Sequence, residues 1–273
     1  MYGGDMYRAS PSSHVLKAFR LSGDPARTHT RDAWRVGSAA LKRVEHPDAV
    51  EWISNLLATR SSGDGFRVPC PIANQDGGWV VDGWSASEWL PGKEDGSRWR
   101  DILEAGAAFH DWLAPVERPP WIDDIDDPWR RSDRAAWGEQ SVDTRSDFAP
   151  SIDELESMRQ PVLAQDQLIH GDLTGNVLFS AGQPPSIIDL TLYWRPPGYA
   201  AAIVAVDCYG WEDVGSEVLD EIDGLSDGAQ LLIRAALFRI IRQAMHDWVE
   251  PESRLKIHRR IVIAIRARTT RDS

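Results

Sequence analysis

The segment from residue 167 to residue 194 constrains the fold of this 273-residue chain more than any other. It contains three short apolar runs, Leu168–Ile169, Val177–Phe179 and Ile187–Ile188, with turn residues between them. Short apolar runs interrupted by Gly, Asn and Pro are typical of strands joined by tight loops. Polar residues stand where these predicted strands end: His170, Asp172, Thr174, Asn176 and Asp189.

These loop residues have the chemistry of a metal-assisted site. Asp172 and Asp189 supply two carboxylates, and Asn176 supplies an amide. Mg²⁺ usually takes one or two carboxylates from a protein and fills its other positions with substrate phosphates and water. A carboxylate can also accept the proton of a reacting hydroxyl group. The segment therefore predicts a divalent-metal site beside a general base.

The pattern of His170-Gly171-Asp172, then Asn176, then Ile187-Ile188-Asp189 resembles the catalytic and metal-binding loops of the aminoglycoside phosphotransferase and choline kinase family. That family shares the protein kinase fold. The resemblance implies an α+β, two-lobed structure with a small β-rich N-lobe and a larger, mostly helical C-lobe. It also implies that Asp172 is the base, that His170 orients the loop, and that Asn176 and Asp189 hold Mg²⁺.

One feature departs from the family pattern. Three residues separate Asp172 from Asn176, where the family usually has four. The segment that follows, IIDLTLYWRPP, resembles an actinobacterial branch of the same group.

A lysine and a glutamate upstream occur in the order that the kinase fold requires. Ala39–Val44 is predicted to be a strand that carries Lys42, and a helix that begins near Pro47 carries Glu51. The resemblance implies that Lys42 holds the nucleotide phosphates and that Glu51 is its partner. Taken alone, both are also ordinary surface residues of a strand edge and a helix.

The loop that would cover the phosphates is unusual, because residues 25–32 include no glycine. Backbone N–H groups approach phosphates most closely in glycine-rich loops. Side chains such as Thr28, Thr30 or Arg31 would have to replace those contacts.

The length fits one large domain or two lobes. We expect a flexible leader over residues 1–14, a nucleotide-binding N-lobe over 15–90 and a catalytic, substrate-binding C-lobe over 91–273, with the hinge at Pro91-Gly92. Asp207 is predicted to brace the catalytic loop from behind, and His110 is predicted to be a packed core residue.

The composition restricts the kinds of partner that the protein is expected to bind. The net charge of −12 disfavours binding to nucleic acid or to an anionic membrane. The two cysteines are far apart in sequence and fit no metal-binding spacing, and no apolar run reaches the length of a membrane-spanning helix. We therefore expect a cytoplasmic protein.

The segment from residue 119 to residue 140 combines Trp121, Trp129 and Trp137 with several acidic residues. It permits two interpretations. Carboxylates near aromatic faces can bind an amine-bearing or sugar-like substrate. The same composition also fits a solvated acidic loop anchored by core tryptophans.

The predicted activity is transfer of the γ-phosphate of ATP or GTP to a hydroxyl of a small molecule, with Mg²⁺ as cofactor; a peptide hydroxyl is another acceptor that the sequence allows. The alternative is a catalytically weak pseudokinase that binds a nucleotide or metabolite, favoured by the glycine-free loop and the short catalytic loop. A metal hydrolase built on His170, Asp172 and Asp189 is disfavoured, because the sequence contains no second histidine cluster with metal-binding spacing.

Overall fold

A computed structural model describes residues 9–28, 33–60, 63–246 and 251–269. Within these ranges, the N-terminal part forms an antiparallel sheet of five strands in the order β1-β2-β3-β5-β4. The strands are β1 Ala26–Arg27, β2 Ala33–Val36, β3 Ala39–Arg43, β4 Val80–Val81 and β5 Trp84–Glu88.

Alternation along β3 decides which side chains face the core of this lobe. Leu41 is fully buried and lies opposite Ala86 of β5. Because neighbouring residues of a strand point to opposite faces, Lys42 faces away from the core. The small core is completed by Val15 and Phe19, which come from helix α1 (Ser13–Ala18) and the residue that follows it.

Helix α2, Pro47–Thr59, begins directly after His46, with Pro47 in its first turn. Proline is well suited to that position because its missing N–H would have no partner there. The helix packs against the C-terminal part, where Trp52 makes an edge-to-face contact with Trp121 at 5.8 Å between ring centres. Helix α2 therefore joins the two lobes.

The C-terminal part is mostly helical. Helix α8 is its centre, because it packs against the five helices α4, α5, α6, α7 and α9. Most of its side chains are buried, as expected for a helix that has neighbours on several sides. The helices are α3 Trp99–Leu113, α4 Pro128–Trp137, α5 Ala149–Ser157, α6 Pro197–Trp211, α7 Glu217–Asp223, α8 Gly228–Ala244 and α9 Pro251–Thr269.

Two short antiparallel strand pairs hold the loops between residues 167 and 195 in place. Strand β6, Gln167–His170, pairs with β9, Leu192–Arg195, and β7, Val177–Leu178, pairs with β8, Ser186–Ile187. These pairs bring the polar residues at the strand ends towards one another. The predicted α+β arrangement, with a small β-rich lobe and a larger helical lobe, is confirmed.

The segment 66–72 forms only isolated bridges, from Arg67 to Ser186 and from Pro71 to Ser87. Pro69 and Pro71 lack the N–H groups that a continuous ladder needs. The residues Leu192–Arg195 form β9 because the complementary edge of β6 is available.

The acidic, tryptophan-rich segment is also more ordered than a solvated loop. Its second half forms α4, where the Asp127 side chain accepts a hydrogen bond from the Arg130 backbone N–H at 2.8 Å and so caps the helix. Gly138 ends the helix with a left-handed φ of +78°. No helix in the described part of the chain is both long and apolar enough to span a membrane.

Candidate active site

The loop after β6 holds the predicted base and its neighbouring amide together. Asn176, which is buried, donates from Nδ2 to the Asp172 backbone oxygen at 2.6 Å and to Asp172 Oδ2 at 3.2 Å. At the start of the loop, a Cβ on Gly171 would lie 2.5 Å from the Tyr193 ring. Only glycine therefore allows the loop to pass this close to β9. The three-residue spacing still brings Asp172 and Asn176 into contact.

His170 lies beneath the loop and connects its two halves. The Asp172 backbone N–H donates to His170 Nδ1 at 3.2 Å, and His170 Nε2 lies 3.2 Å from the Ile188 carbonyl oxygen. An acceptor at Nδ1 and a carbonyl at Nε2 assign the neutral tautomer with the proton on Nε2. Complete burial lowers the pKa of His170, which favours this neutral form. His170 therefore orients the loop from below.

A second histidine supports the first. His110, on α3, accepts at Nε2 from the His170 backbone N–H at 3.1 Å. Burial lowers the pKa of His110 to about 3, so the ring is neutral and can act as an acceptor at neutral pH. His110 is a packed, hydrogen-bonded core residue, in agreement with its position on the apolar face of the helix.

Asp189 and Lys42 meet at the entrance between the lobes. Lys42 Nζ lies 2.7 Å from Asp189 Oδ1, and both side chains are partly exposed. Asp189 has a left-handed φ of +55°, an uncommon conformation for a residue with a side chain. The Ile188 backbone N–H donates to the Asn176 carbonyl oxygen at 3.0 Å. The loop of Asp189 is thus attached directly to the loop of Asp172.

The structure does not bring the predicted pair of Lys42 and Glu51 together, and this expectation is corrected. Glu51 Oε1 instead accepts a hydrogen bond from the Trp79 backbone N–H at 3.2 Å. The cleft is lined from α2 by Val50, Ile53, Ser54 and Leu57. Glu51 lies on another face of α2, together with Asn55 one turn later, which also contacts Trp79.

A buried arginine contacts the predicted base, and sequence reasoning missed it. Arg239, on α8, donates from Nη2 to Asp172 Oδ1 at 2.7 Å. It also donates from Nε to Asp207 Oδ1 at 2.8 Å and from Nη2 to Asp207 Oδ2 at 2.5 Å. The sequence does contain one indication of this role: Arg239 is a charged residue within the apolar sequence LFRII, and this position of α8 is buried.

This network fixes the charges behind the loop. Burial opposes the charge on Arg239, but the carboxylates of Asp207 and Asp172 outweigh it and raise the pKa of Arg239. Burial likewise raises the pKa of Asp207, and the adjacent guanidinium of Arg239 counteracts this. Asp207 therefore braces the loop through Arg239.

A cleft of about 290 Å³ opens between the lobes and includes both Lys42 and Asp189 in its lining. The sheet contributes Ala33 and Ala40 to the cleft, and the helical lobe contributes Leu178 and Ile188. Its rear edge is formed by the chain from Ser87 to Leu90. None of the described residues accepts a hydrogen bond from the Leu90 backbone N–H. The cleft thus combines an apolar slot, one unused backbone donor and a charged end.

Known proteins share the family and the fold of this chain. A model of the phosphotransferase enzyme family, APH, matches residues 25–228, a range that contains both Lys42 and Asp189. This chain belongs to the phosphotransferase enzyme family. No curated protein sequence matches it.

Solved structures of other phosphotransferases share its fold. A thermostable variant of the aminoglycoside phosphotransferase APH(4)-Ia, in a ternary complex with AMP-PNP and hygromycin B, has a TM-score of 0.56 at 13% identity; the match covers 95% of this chain and 98% of the other. Choline kinase LicA from Streptococcus pneumoniae has a TM-score of 0.56 at 11% identity, with coverage of 92% and 96%. At such low identities these likenesses show the fold alone.

The phosphotransferase carries residues that suit Mg²⁺ only if a substrate completes the site. In the described part of the chain, no group of three or more His, Cys, Asp or Glu residues could hold a metal by itself. The carboxylate of Asp189 nevertheless faces a cation, the ammonium group of Lys42. One or two protein ligands with substrate phosphates is the usual arrangement for Mg²⁺. Asp189 and Asn176 fit that arrangement.

The acidic residues around the tryptophans of this phosphotransferase are mostly neutralised by arginines. Asp126 pairs with Arg131 and Arg134, and Asp123 pairs with Arg118. Two further acids, Asp133 and Glu139, both pair with Arg195. Trp121 is buried and Trp137 is partly buried in the core. These contacts favour the second interpretation of the segment, a structural one, over an acidic cage for an amine.

Of the side chains expected to cover the phosphates, only Thr28 can be placed. It lines the cleft, and its backbone N–H and its Oγ1 both donate to the Ala33 carbonyl oxygen at 3.0 Å. Thr30 and Arg31 lie outside the described residues.

Proposed function

We propose that this protein transfers the γ-phosphoryl group of ATP or GTP to a hydroxyl group of a small molecule. The observation that carries the proposal is the meeting of Lys42 and Asp189 at the mouth of the cleft, with Asp172 and Asn176 on the adjoining loop. Each residue then has a role that its position supports.

The nucleotide fits the cleft with its base towards the rear. The Leu90 N–H is available to a ring nitrogen of the base, and Ala40 and Leu178 provide apolar surfaces above and below it. In that orientation the phosphates reach Lys42, whose ammonium group can bind them as a point charge. Asp189 and Asn176 would hold Mg²⁺, which would neutralise charge that develops on the phosphates.

Asp172 is the proposed base. Its Oδ1 is held by Arg239, while the described residues offer Oδ2 a single hydrogen bond, the 3.2 Å contact with Asn176. The acceptor oxygen attacks the γ-phosphorus, the bond from that phosphorus to the bridging oxygen of the nucleoside diphosphate breaks, and the hydroxyl proton passes to Oδ2. Positioning and electrostatic stabilisation supply most of the acceleration in this class of reaction.

The test is the variant Asp172→Asn. Removal of a general base typically reduces turnover by ~10²–10⁴-fold. Nucleotide binding should persist, because Lys42 and Asp189 are intact; a thermal-shift titration with ATP, GTP and Mg²⁺ measures it. Asp124→Asn is a matched control, since Asp124 is exposed and remote from the cleft. Turnover of Asp172→Asn equal to that of Asp124→Asn would refute the assigned role.

A second candidate function is a pseudokinase that binds a nucleotide without efficient transfer. It is favoured by one observation, the absence of contact between Lys42 and Glu51 in the described structure. The two functions differ in a simple measurement. If the protein is a pseudokinase, nucleotide stabilises it, but the wild type forms nucleoside diphosphate no faster than the Asp172→Asn variant does. Asp189→Ala should abolish Mg²⁺-dependent nucleotide binding in either case.

A further inference from the structure

The side of Asp172 that faces the helical lobe is bordered by α8 and by the first turn of α4. Arg239 contacts Asp172, and its guanidinium carbon lies 5.6 Å from the ring centre of Trp129 on α4. Trp129 is 37% exposed, which is unusual for a large apolar side chain here. The nucleotide cleft lies on the other side, between the lobes. The acceptor molecule of the proposed reaction would therefore approach Asp172 past Trp129.

Two further arginines lie on this side. Neither guanidinium group has a hydrogen-bond acceptor or an ion-pair partner among the described residues. Arg242 stacks on Trp129, with its guanidinium carbon 4.4 Å from the ring centre. Its Nε and Nη1 are buried without an acceptor. Arg130 is 7% exposed, and its guanidinium carbon lies 4.1 Å from the ring centre of Tyr193. The Tyr193 hydroxyl is buried and also lacks a partner.

These four side chains form one group, which we call the acceptor face: Trp129, Arg130, Tyr193 and Arg242. The rings of Trp129 and Tyr193 both make edge-to-face contacts with Phe238 of α8, the helix that carries Arg242. Buried polar groups without partners are uncommon in native proteins and call for a ligand, an ion or a water molecule. Here several such groups occur within one group of contacts beside the proposed base.

Among the described residues, no carboxylate forms an ion pair with Arg130 or Arg242. Asp127 acts on Arg242 from a distance, and it also caps α4. Asp133 acts on Arg130 in the same way, but it already pairs with Arg195. Arg239 is occupied by Asp207 and Asp172. A negatively charged group on a bound molecule would supply the acceptor that Arg130 and Arg242 lack.

We infer that the acceptor is a hydroxyl compound that also carries an oxyanion, either a carboxylate or a phosphate, and that Arg242 and Arg130 bind this group. Guanidinium groups recognise both oxyanions through paired hydrogen bonds. Trp129 covers the carbon skeleton, and the acceptor hydroxyl reaches Asp172. This inference rests on the proposed phosphotransferase function and replaces the amine-bearing acceptor that the sequence suggested.

Matched acceptors test the charge requirement. Release of nucleoside diphosphate from Mg²⁺-ATP is measured with gluconate, glucose and glucosamine, and separately with glycerol 3-phosphate and glycerol. The first set tests a carboxylate and the second a phosphate. We expect kcat/KM to be highest for the anionic member of at least one set. Charged hydrogen bonds of this kind correspond to about ten-fold to a hundred-fold in kcat/KM.

Variants locate the effect at the acceptor face. Arg242→Gln should lower kcat/KM for the anionic acceptor by about ten-fold or more, and by a larger factor than kcat/KM for the neutral acceptor. Arg242→Lys keeps the charge, so its kcat/KM for the anionic acceptor should lie between that of the wild type and that of Arg242→Gln. Arg131→Gln is the matched control, because Arg131 is the exposed neighbour of Arg130 on α4 and pairs with Asp126. Arg131→Gln should change kcat/KM for neither the anionic nor the neutral acceptor.

The outcomes separate the two hypotheses. If neither ATP nor GTP stabilises the protein, the phosphotransferase proposal fails, and the acceptor inference fails with it. If ATP binds but glucosamine or a neutral acceptor is preferred, or if Arg242→Gln and Arg131→Gln behave alike, only the inference is overturned. It is also overturned if calorimetric titration of the ATP-bound Asp172→Asn protein shows no binding of gluconate or glycerol 3-phosphate.

Discussion

Replacement of Arg239 by methionine tests how the helical lobe holds the proposed base. The side chain is 7% exposed and makes three hydrogen bonds to two carboxylates, those of Asp207 and Asp172. Arg239→Met leaves the buried carboxylate of Asp207 without a partner. Breaking a buried ion pair in this way typically costs about 3–5 kcal/mol. Because domains are stable by only about 5–15 kcal/mol, the loss should be large.

A double-mutant cycle separates the loss of the arginine from the cost of the stranded charge. Asp207→Asn removes that charge, so the double variant should be more stable than the sum of the single effects by about 1–3 kcal/mol. Urea unfolding, followed by tryptophan fluorescence, measures each free energy of unfolding. The control is Arg234→Met on the same helix. Within the described part of the chain, the Arg234 guanidinium group donates hydrogen bonds only to uncharged groups of Gln160 and Gln230.

The expected pattern is specific to the Arg239 network. Arg234→Met combined with Asp207→Asn should be additive within about 0.5 kcal/mol, since the two residues share no partner. The reasoning fails if Arg239→Met unfolds at the same urea concentration as the wild type. It also fails if Asp207→Asn and Arg239→Met are simply additive, because the buried carboxylate would then not be the source of the loss.

Two further predictions follow from the contacts around the cleft. Glu51→Gln should leave nucleotide affinity unchanged, because Glu51 contacts the Trp79 backbone, whereas Lys42→Met should weaken nucleotide affinity. Thermal-shift titration measures both. A strong loss of nucleotide affinity in Glu51→Gln would show that Lys42 and Glu51 pair when nucleotide binds. Acid should destabilise the fold through His110, whose folded pKa of about 3 lies below its unfolded value of about 6.5. Its contribution is complete above about pH 6.5 and declines as the pH falls towards 3, by up to about 1.4 kcal/mol per pH unit. Urea midpoints between about pH 6.5 and pH 5 should therefore fall less in His110→Gln, which can still accept from the His170 N–H; equal slopes would contradict this.

The sequence by itself determined the local elements and the chemistry of the loops. Short apolar runs that end on polar residues predicted β6, β7 and β8. Each of these signals depends on neighbours in the chain, so the sequence contains it in full. The contact between Asp172 and Asn176 belongs to the same class, because a single loop carries both residues.

Only the tertiary structure decided which distant side chains meet. Lys42 pairs with Asp189 and not with Glu51, because the face of α2 that looks into the cleft does not include Glu51. Arg239 reaches Asp172 across 67 residues of sequence. The same holds for the acids of the tryptophan-rich segment, whose arginine partners include Arg195, more than fifty residues away. Such pairings depend on how helices and strands pack, and opposite charges carry no information in the sequence about which partner burial will select.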